Sequence, residues 1–372
     1  MRVRLASTKI AALLIDYRVV VGRSRIVPDH ARRVYILSVI KTYLQWFLVL
    51  SAMCAASLAH ADSYKYFRLG NKEDVQTKPV AGIAMMGGGD DLDEAFRWLC
   101  NKGNGGDFLI LRARGDDDYN GYVNGLCKTN SVATLIIPDH AAALDPAVAE
   151  IIRKAEVLFI AGGDQANYIR GWKGTPVETE INEGIAAGKP IGGTSAGLAV
   201  ESEFVYGATG DKPDDKNLAS AEVLANPYFD RVTLEREFLR IPHLENLITD
   251  SHFAKRDRLG RTLGFLARIM KSGWSSSPRG VGVDEKSAVL VEPDGKAAVV
   301  GTGKGAYFLR PTEPPEICET GKPLTFRRIS VYRVKTGGHF DLTSWTGDGG
   351  MAYSLSVERG KIESTEAGKE IY

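Results

Sequence analysis

Short apolar runs, each followed by glycine and then by a segment of helical periodicity, constrain the fold of this chain more than any other feature. Residues 80–86 run into Gly87-Gly88-Gly89, and residues 157–160 run into Gly162-Gly163. Further apolar runs of strand length lie between these two. Strands that alternate with amphipathic helices build a mostly parallel sheet with both faces covered. The sequence therefore predicts an α/β fold with a doubly wound, mostly parallel sheet.

Helix start signals and a change of pattern near the end refine this prediction. Asp91 is placed to cap the first helix, and Asp145-Pro146 to begin a later one. From residue 281 onward the pattern becomes that of alternating strands, which include residues 330–334 and 340–342. We expect an α/β domain over residues 62–320 and a β-rich C-terminal extension over residues 321–372.

The first 61 residues have the pattern of a secretory signal. Arg32 and Arg33 precede an apolar run over residues 43–58, which ends at Ala59-His60-Ala61. A charged segment, an apolar segment and a small-residue site predict cleavage before Asp62. The upstream segment is long for such a signal, so we expect the true start to lie downstream of Met1. The alternative is a membrane anchor, but the run is short and interrupted for a span. We expect export to the periplasm or the exterior, without a stable membrane anchor.

Export would place three cysteines of the mature chain where disulfides can form. These are Cys100, Cys127 and Cys318, so one thiol must stay unpaired. Cys100 with Cys127 is the pair that we favour. Buried, unpaired thiols are the alternative.

Charge and motif patterns exclude several classes of partner and cofactor. Lysine and arginine total 47 against 46 acidic residues, so no global positive field would attract nucleic acid. The glycines at residues 87–89 lack the GxGxxG register of a dinucleotide site. Metal-ligand spacing of histidine, cysteine and carboxylate is also missing. We predict no cofactor, no metal and no nucleic-acid partner.

The GTSAG sequence at residues 193–197 points to a nucleophilic serine. It lies where an apolar strand ends and a helical segment begins. Glycines two before and two after Ser195 permit the strained turn that exposes a serine hydroxyl above a sheet edge. The N–H groups of Ala196 and Gly163 are the oxyanion donors that we predict beside it.

His252 is the predicted general base for this serine. It follows the apolar run of residues 247–249, so it should lie just past the carboxyl end of a strand, where α/β folds place their sites. Three arginines come next, at residues 256, 258 and 261, at the start of a helix whose dipole they would oppose. Binding of carboxylates explains them, and a solvated basic face is the alternative.

Three ordered motifs together resemble the serine peptidase family of cyanophycinase and aspartyl dipeptidase, which includes peptidase E. They are GGDQ at residues 162–165, GTSAG at residues 193–197 and DxHFxxRxRxGR at residues 250–261. The resemblance covers roughly residues 80–291, and the last motif is closer to the cyanophycinase branch. It implies a fold similar to class I glutamine amidotransferases, and it suggests a homodimer.

The implied activity is serine-type exopeptidase hydrolysis of cyanophycin, a poly-aspartate with arginine on each side-chain carboxyl, to β-Asp-Arg dipeptides. Ser195 would attack and form an acyl-enzyme, and His252 would shuttle the proton. The residues implied to line the substrate pocket are Gln165, Asp250, Arg256, Arg258 and Arg261. The alternatives are an aspartyl or isoaspartyl dipeptidase of the same family and an inactive ligand-binding module. A lipase-like hydrolase is disfavoured, because its acid precedes its histidine.

The acid that orients His252 is the least determined member of the site. The family uses a glutamate after the histidine helix, and Glu285 matches it, with Asp250 and Glu201 as alternatives. The residues after the serine turn, 198–201, are bulkier than the family pattern leads us to expect. An acidic segment at residues 116–118 would bind an arginyl guanidinium or form a solvated turn.

Overall fold

The computed structural model describes Lys41, residues 63–212 and residues 217–372. One mixed sheet, with strands between Lys65 and Ser364, organises the described residues from 63 onward. Apart from Lys41, the predicted signal lies outside the described residues. The strands are β1 (Lys65–Gly70), β2 (Ile83–Met86), β3 (Asp107–Arg112), β4 (Ser131–Ile136), β5 (Val157–Ile160), β6 (Ile191–Thr194), β7 (Phe204–Tyr206), β8 (Leu234–Arg236), β9 (Leu247–Asp250), β10 (Arg279–Val283), β11 (Ser287–Val291), β12 (Lys296–Gly301), β13 (Ala306–Pro311), β14 (Phe326–Asp341), β15 (Thr346–Glu358) and β16 (Lys361–Ser364). The helices are α1 (Asp93–Lys102), α2 (Asp118–Leu126), α3 (His140–Ala143), α4 (Pro146–Lys154), α5 (Gln165–Trp172), α6 (Pro176–Ala186), α7 (Ala196–Ala199), α8 (Ser220–Ala225) and α9 (Leu259–Lys271).

The first half of the sheet is parallel and buried on both faces. Its strands lie in the order β4, β3, β5, β6, β2, and each neighbouring pair is parallel. Successive residues of a strand point to opposite faces: in β5, Leu158 packs in one apolar cluster and Phe159 in another. Both residues are fully buried. The predicted α/β sheet covered on two sides is confirmed.

Helix starts agree with the sequence in one case and differ in the other. Asp145 caps α4 by accepting a hydrogen bond from the N–H of Ala147 at 2.9 Å. The expected cap by Asp91 is wrong, because α1 begins after Leu92 without a side-chain cap. The Asp91 carboxylate accepts a hydrogen bond from the Tyr119 hydroxyl at 2.7 Å. Asp91 therefore binds a side chain from another segment, Tyr119, and not the backbone N–H groups at the start of α1.

The β-rich end of the chain continues the same sheet. β11 pairs antiparallel with β2, and the path then runs through β12, β14, β13 and β10. The two strands expected at residues 330–334 and 340–342 are parts of the single strand β14, with a register shift between Val334 and His339. The boundary predicted near residue 320 stays a prediction.

Two further findings concern the cysteines and membrane spans. Cys100 and Cys127 form a disulfide, and Cys318 is a buried free thiol, which agrees with the favoured pairing. The bridge joins α1 to the residue that follows α2. Within the described residues, each helix falls short of the length and apolar character that crossing a bilayer requires.

Candidate active site

The turn between β6 and α7 presents Ser195 in a strained conformation. Ser195 has φ 54° and ψ −111°, values that side-chain-bearing residues rarely adopt. A Cβ on Gly193 would lie 2.6 Å from the carbonyl carbon of Gly197, and a Cβ on Gly197 would lie 2.0 Å from the Ile160 oxygen. Both flanking glycines are therefore required by close backbone approach. The predicted strand, turn and helix arrangement around Ser195 is present.

Ser195, His252 and Glu285 form a continuous hydrogen-bonded chain. The Ser195 Oγ lies 2.7 Å from His252 Nε2, and His252 Nδ1 lies 2.7 Å from Glu285 Oε1. A carboxylate at Nδ1 assigns the ring proton to that nitrogen, so Nε2 is free to accept the serine proton. The geometry is that of a nucleophile, a base and an orienting acid.

The surroundings of His252 favour the neutral form of the imidazole. Burial lowers the pKa of His252, and the positive charges of Arg256 and Arg258 act in the same direction. The hydrogen bond and charge of Glu285 oppose this shift without reversing it. A neutral imidazole is the form that can take up a proton from a serine hydroxyl.

The turn that carries His252 is held by a dense set of backbone contacts. The N–H of Phe253 donates to the Val283 carbonyl, and those of Ala254 and Lys255 donate to one carboxylate oxygen of Asp284, at 3.0 and 2.8 Å. Asp284 directly precedes Glu285. The two consecutive acids after β10 therefore bind different groups. Asp284 accepts hydrogen bonds from the backbone of the turn, and Glu285 contacts the imidazole ring of His252. The position of Asp284 in the sequence gave no indication of this role.

The glycine run after β2 packs onto Ser195 and His252. The Gly87 carbonyl accepts the N–H of His252 at 2.7 Å. Gly88 has φ +89°, and a Cβ there would lie 2.6 Å from His252 Cε1 and 3.1 Å from Ser195 Cβ. From the sequence, this run resembled the Gly162-Gly163 turn, and a dinucleotide site was discounted. Its position at the end of a parallel strand was the signal that could have placed it here.

The residues predicted to supply the oxyanion donors are Ala196, which follows Ser195 in the chain, and Gly163, whose neighbour Gly162 approaches Ser195. Ala196 is the first residue of α7, and the first N–H groups of a helix have no partner within it. Gly163 has φ +147° and follows Gly162, where a Cβ would lie 3.5 Å from Ser195 Cβ. The Tyr168 hydroxyl donates to the Ala161 carbonyl at 2.7 Å and so fixes the approach of this loop.

Asp250 and Arg261 form a buried pair in this structure. Arg261 Nε donates to Oδ2 at 2.7 Å and its Nη2 donates to Oδ1 at 2.6 Å, while the Thr262 hydroxyl supplies a third bond. Burial alone would raise the pKa of Asp250, but the charges of Arg261 and Arg258 lower it. Pocket lining was expected of both members of the pair. Asp250 and Arg261 are buried and form hydrogen bonds with each other, so neither side chain is free to bind a substrate. Asp250 also lies 3.4 Å from Arg258, which suggests that the pair holds Arg258 in place.

Arg258 carries positive charge that its surroundings only partly balance. Its Nη1 lies 3.4 Å from Asp250 Oδ1 and donates to the Ser251 carbonyl at 3.0 Å, while Nη2 donates to the Asn217 side chain. Its Nε has no hydrogen-bond partner among the described residues. Burial and the neighbouring Arg261 lower the pKa of Arg258 to about 9. One carboxylate thus serves two guanidinium groups.

The remaining predicted residues lie at the rim of the site or away from it. Arg256 is 40% exposed in its side chain, with Nε 3.7 Å from Glu285 Oε1. Gln165 begins α5 and its Nε2 lies 3.4 Å from the Tyr206 carbonyl. Glu201, an alternative orienting acid, is fully buried, and neither of its oxygens has a partner in the described part of the chain. Among the three candidate acids, Glu285 is the one in contact with His252.

Comparison with known proteins places this geometry in a family. Residues 116–296 match the profile of peptidase family S51. This region is a peptidase family S51 domain. It contains Ser195, His252 and Glu285, whereas the glycine run of residues 87–89 precedes the S51 match. Groups of three or more histidine, cysteine or acidic side chains arranged to hold a metal ion are missing from the described residues.

Similar proteins include two cyanophycinases. That of Trichormus variabilis is 28% identical over 192 residues, which cover 50% of this chain and 56% of that protein. That of Synechococcus elongatus is 28% identical over 221 residues, which cover 57% and 60%. This chain spans a little more than half the length of these curated relatives. Among solved structures, a peptidase from an acI-B1 Actinobacterium aligns over 72% of this chain and 98% of that one, with 17% identity and a TM-score of 0.46.

Proposed function

We propose that this chain is an exported serine-type exopeptidase that hydrolyses cyanophycin to β-Asp-Arg dipeptides. The observation that carries the proposal is the hydrogen-bonded chain from Ser195 through His252 to Glu285, with both distances at 2.7 Å. It stands beside guanidinium groups whose charge is not fully balanced. The family S51 match and the similarity to cyanophycinases support the same assignment.

The proposed reaction proceeds through an acyl-enzyme. Ser195 Oγ attacks the carbonyl carbon of the amide while its proton passes to His252 Nε2. The C–N bond then breaks as His252 gives this proton to the leaving amine. A water molecule then attacks the ester carbon while His252 Nε2 takes one of its protons. The C–O bond to Ser195 breaks as His252 gives this proton back to Oγ, and the carboxylic acid product leaves. Glu285 holds the imidazole and stabilises its charged form throughout.

The negative charge that develops on the carbonyl oxygen needs fixed donors. The N–H of Ala196 and that of Gly163 are the groups we propose, because both backbone segments adjoin Ser195. Donors that are already oriented cost no rearrangement during the reaction. The positive end of the short helix α7 acts in the same direction.

Recognition of the substrate would use the arginines at residues 256 and 258. Arg258 shares the Asp250 carboxylate with Arg261, and Arg256 lies 3.7 Å from Glu285. These three arginines therefore carry more positive charge than the two carboxylates neutralise. Guanidinium groups bind carboxylates in bidentate fashion, and aspartyl peptides supply carboxylates. Gln165 would add a neutral donor and acceptor at the rim. Asp250 and Arg261 would hold Arg258 in place from behind.

Export is the remaining part of the proposal. The signal-like pattern over residues 1–61 supports it, and so does the disulfide between Cys100 and Cys127. Structural disulfides persist in oxidising compartments and are rare in reducing ones. The homodimer implied by the family resemblance stays a prediction.

The test is hydrolysis of insoluble cyanophycin by the chain beginning at Asp62, with β-Asp-Arg measured by mass spectrometry. Wild type should release the dipeptide, and Ser195→Ala should lose about six orders of magnitude in kcat, as expected when a nucleophile is removed. Ser276→Ala, an exposed serine, is the matched control and should keep full activity. Glu285→Gln should lose far more activity than Glu201→Gln, which separates two of the candidate acids.

Each other outcome has its own meaning. Turnover of short aspartyl or isoaspartyl dipeptides, with cyanophycin left intact, would move the protein to the dipeptidase alternative. Inactivity on both substrates, together with failure of Ser195 to react with a fluorophosphonate probe, would refute the peptidase proposal. Binding of aspartyl peptides in that case would identify a ligand-binding module.

A further inference from the structure

Tyr372, in the β-rich extension, touches both ends of the turn that carries His252. Its hydroxyl accepts the N–H of Leu259 at 2.8 Å and donates to Asp257 Oδ1 at 2.9 Å. Its ring lies edge-on to Phe253, with the centroids 6.0 Å apart. Phe253 is the residue next to His252, and Leu259 begins α9. One side chain therefore spans the turn from the base to the following helix.

This turn has a strained backbone that its surroundings must hold. His252 has φ +46° and Asp257 has φ +48°, both in the left-handed region that non-glycine residues rarely occupy. Such conformations persist only where neighbouring structure enforces them. Asp284 secures the first half through the N–H groups of Ala254 and Lys255. The second half, which includes Asp257, is where Tyr372 acts.

The hydroxyl also completes the start of α9. The first N–H groups of a helix need partners from outside it, and the N-cap residue Arg258 supplies no side-chain bond. The Ser220 hydroxyl takes the N–H of Arg261 at 3.1 Å, and the Tyr372 hydroxyl takes that of Leu259. Loss of this hydroxyl would leave the N–H of Leu259 and one oxygen of Asp257 without these partners.

The ring of Tyr372 belongs to a buried aromatic group behind the base. It packs edge-on to Tyr307 at 5.8 Å, and Tyr307 packs on Phe253 at 5.2 Å. Phe253 is fully buried, and a Cβ at Gly282 would lie 2.3 Å from its ring. Phe253 therefore has little room to move as long as these rings stay in place.

We propose that Tyr372 is a positioning residue for His252, so that the C-terminal extension takes part in the site. The proposal rests on the proposed function in that it assigns His252 as the general base. Tyr372 contacts no reacting atom. It acts through the turn, with its ring holding Phe253 and its hydroxyl holding Asp257 and the start of α9.

The test is Tyr372→Phe, which keeps the ring and removes the hydroxyl. Two readouts are used: the titration of the His252 imidazole by NMR, and the rate at which a fluorophosphonate labels Ser195. We expect labelling to slow about fivefold, the effect of losing roughly one hydrogen bond of ordinary strength. We also expect the titration of His252 to move toward that of a solvent-exposed histidine. Tyr332→Phe, whose hydroxyl accepts the Gly350 N–H in the same extension, should change neither readout.

The outcomes separate this inference from the proposed function. If Tyr372→Phe changes neither the His252 titration nor the labelling rate of Ser195, the positioning role of Tyr372 is refuted. A change in only one of the two readouts, in a protein whose wild type labels normally, also refutes it. If wild-type Ser195 fails to react with the probe, the proposed function fails, and the His252 titration alone decides whether Tyr372 positions the ring. Thermal unfolding by circular dichroism verifies that each variant is folded before it is compared.

Discussion

One oxygen of Glu285 faces both His252 and Arg256. Its Oε1 lies 2.7 Å from His252 Nδ1 and 3.7 Å from Arg256 Nε. The carboxylate that contacts His252 is therefore also next to a cation that disfavours protonation of the imidazole. Because only the neutral imidazole can accept the serine proton, we expect burial first, and Arg256 in addition, to extend activity toward acid pH.

Arg256→Gln should move the acid limb of the activity profile to higher pH. Burial lowers the pKa of His252 and Arg256 lowers it further, so loss of this charge raises that pKa. His252 then becomes protonated, and inactive as a base, at a higher pH than in wild type. The measurement is the pH dependence of fluorophosphonate labelling of Ser195, which needs no peptide substrate. Arg256→Lys retains the charge and should stay close to wild type; a limb that moves to lower pH in Arg256→Gln would contradict the prediction.

Asp250→Asn should destabilise the fold by about 3–5 kcal/mol at neutral pH, because it leaves the buried guanidinium groups of Arg261 and Arg258 without their anion. The pKa of Asp250 is lowered in the fold, so its contribution is present above its ordinary pKa and is lost as pH falls. The difference between variant and wild type should therefore shrink in acid. Urea unfolding at several pH values measures it.

The control for this prediction is Asp294→Asn. Asp294 pairs with Lys296 on the surface, where ion pairs contribute little. A similar loss of stability in both variants, or a loss in Asp250→Asn that is independent of pH, would show that the buried network does not act as described.

Glu201→Gln should stabilise the protein at alkaline pH relative to wild type. Burial raises the pKa of Glu201 well above its ordinary value, and its oxygens have no partner among the described residues. The folded state then keeps a proton that the unfolded state releases, so wild-type stability falls as pH rises above the ordinary glutamate pKa. A glutamine at this position does not titrate, so it adds no such pH dependence to the free energy of unfolding. The gain should be present at pH 8 and small near pH 4.

Unfolding of Glu201→Gln and wild type by urea at both pH values measures this gain. Glu363→Gln, an exposed glutamate, serves as the reference and should show no difference between the two conditions. Equal stability of Glu201→Gln and wild type at pH 8 would mean that the carboxyl has a compensating partner.

Removing the disulfide by Cys100→Ser with Cys127→Ser should lower the free energy of unfolding by about 2–4 kcal/mol, the usual range for a bridge that closes a loop of this size. The two cysteines are 27 residues apart and join α1 to the end of α2. We expect the melting temperature to fall by several degrees, with labelling of Ser195 retained. Cys318→Ala keeps the bridge and is the comparison.

A reducing agent supplies the second arm of the disulfide experiment. It should lower the melting temperature of wild type toward that of the double variant and leave the double variant unchanged. A wild type that is insensitive to reduction, and as stable as the double variant, would contradict a structural role for the bridge.

Local pattern was enough to predict much of the fold. The apolar run at residues 157–160 is β5, and the helix predicted to start at Asp145-Pro146 is capped as expected. Ser195 stands at the predicted strand-to-helix turn because the glycines that this turn requires are its near neighbours in the chain. Such features depend on residues a few positions apart, so they can be read from the sequence.

Contacts between distant segments were harder to predict. Asp91 was expected to cap a helix but bonds to Tyr119, and two expected strands in the extension are the one strand β14. The glycine run at residues 87–89 had no assigned role, although it packs directly onto His252 and Ser195. In each case a partner from another segment decides the outcome, and local propensity does not specify that partner.

The sequence by itself was enough to single out Ser195 and His252 as candidates and to determine the strand framework, since these follow from short-range pattern and strand ends. The tertiary structure decided that Glu285, among three candidate acids, contacts His252, and that Asp250 pairs with Arg261 in the interior. It also brought Tyr372 back to the turn of the base. The reason is physical: burial and strand order select which of several similar side chains meet, and both are properties of the whole fold.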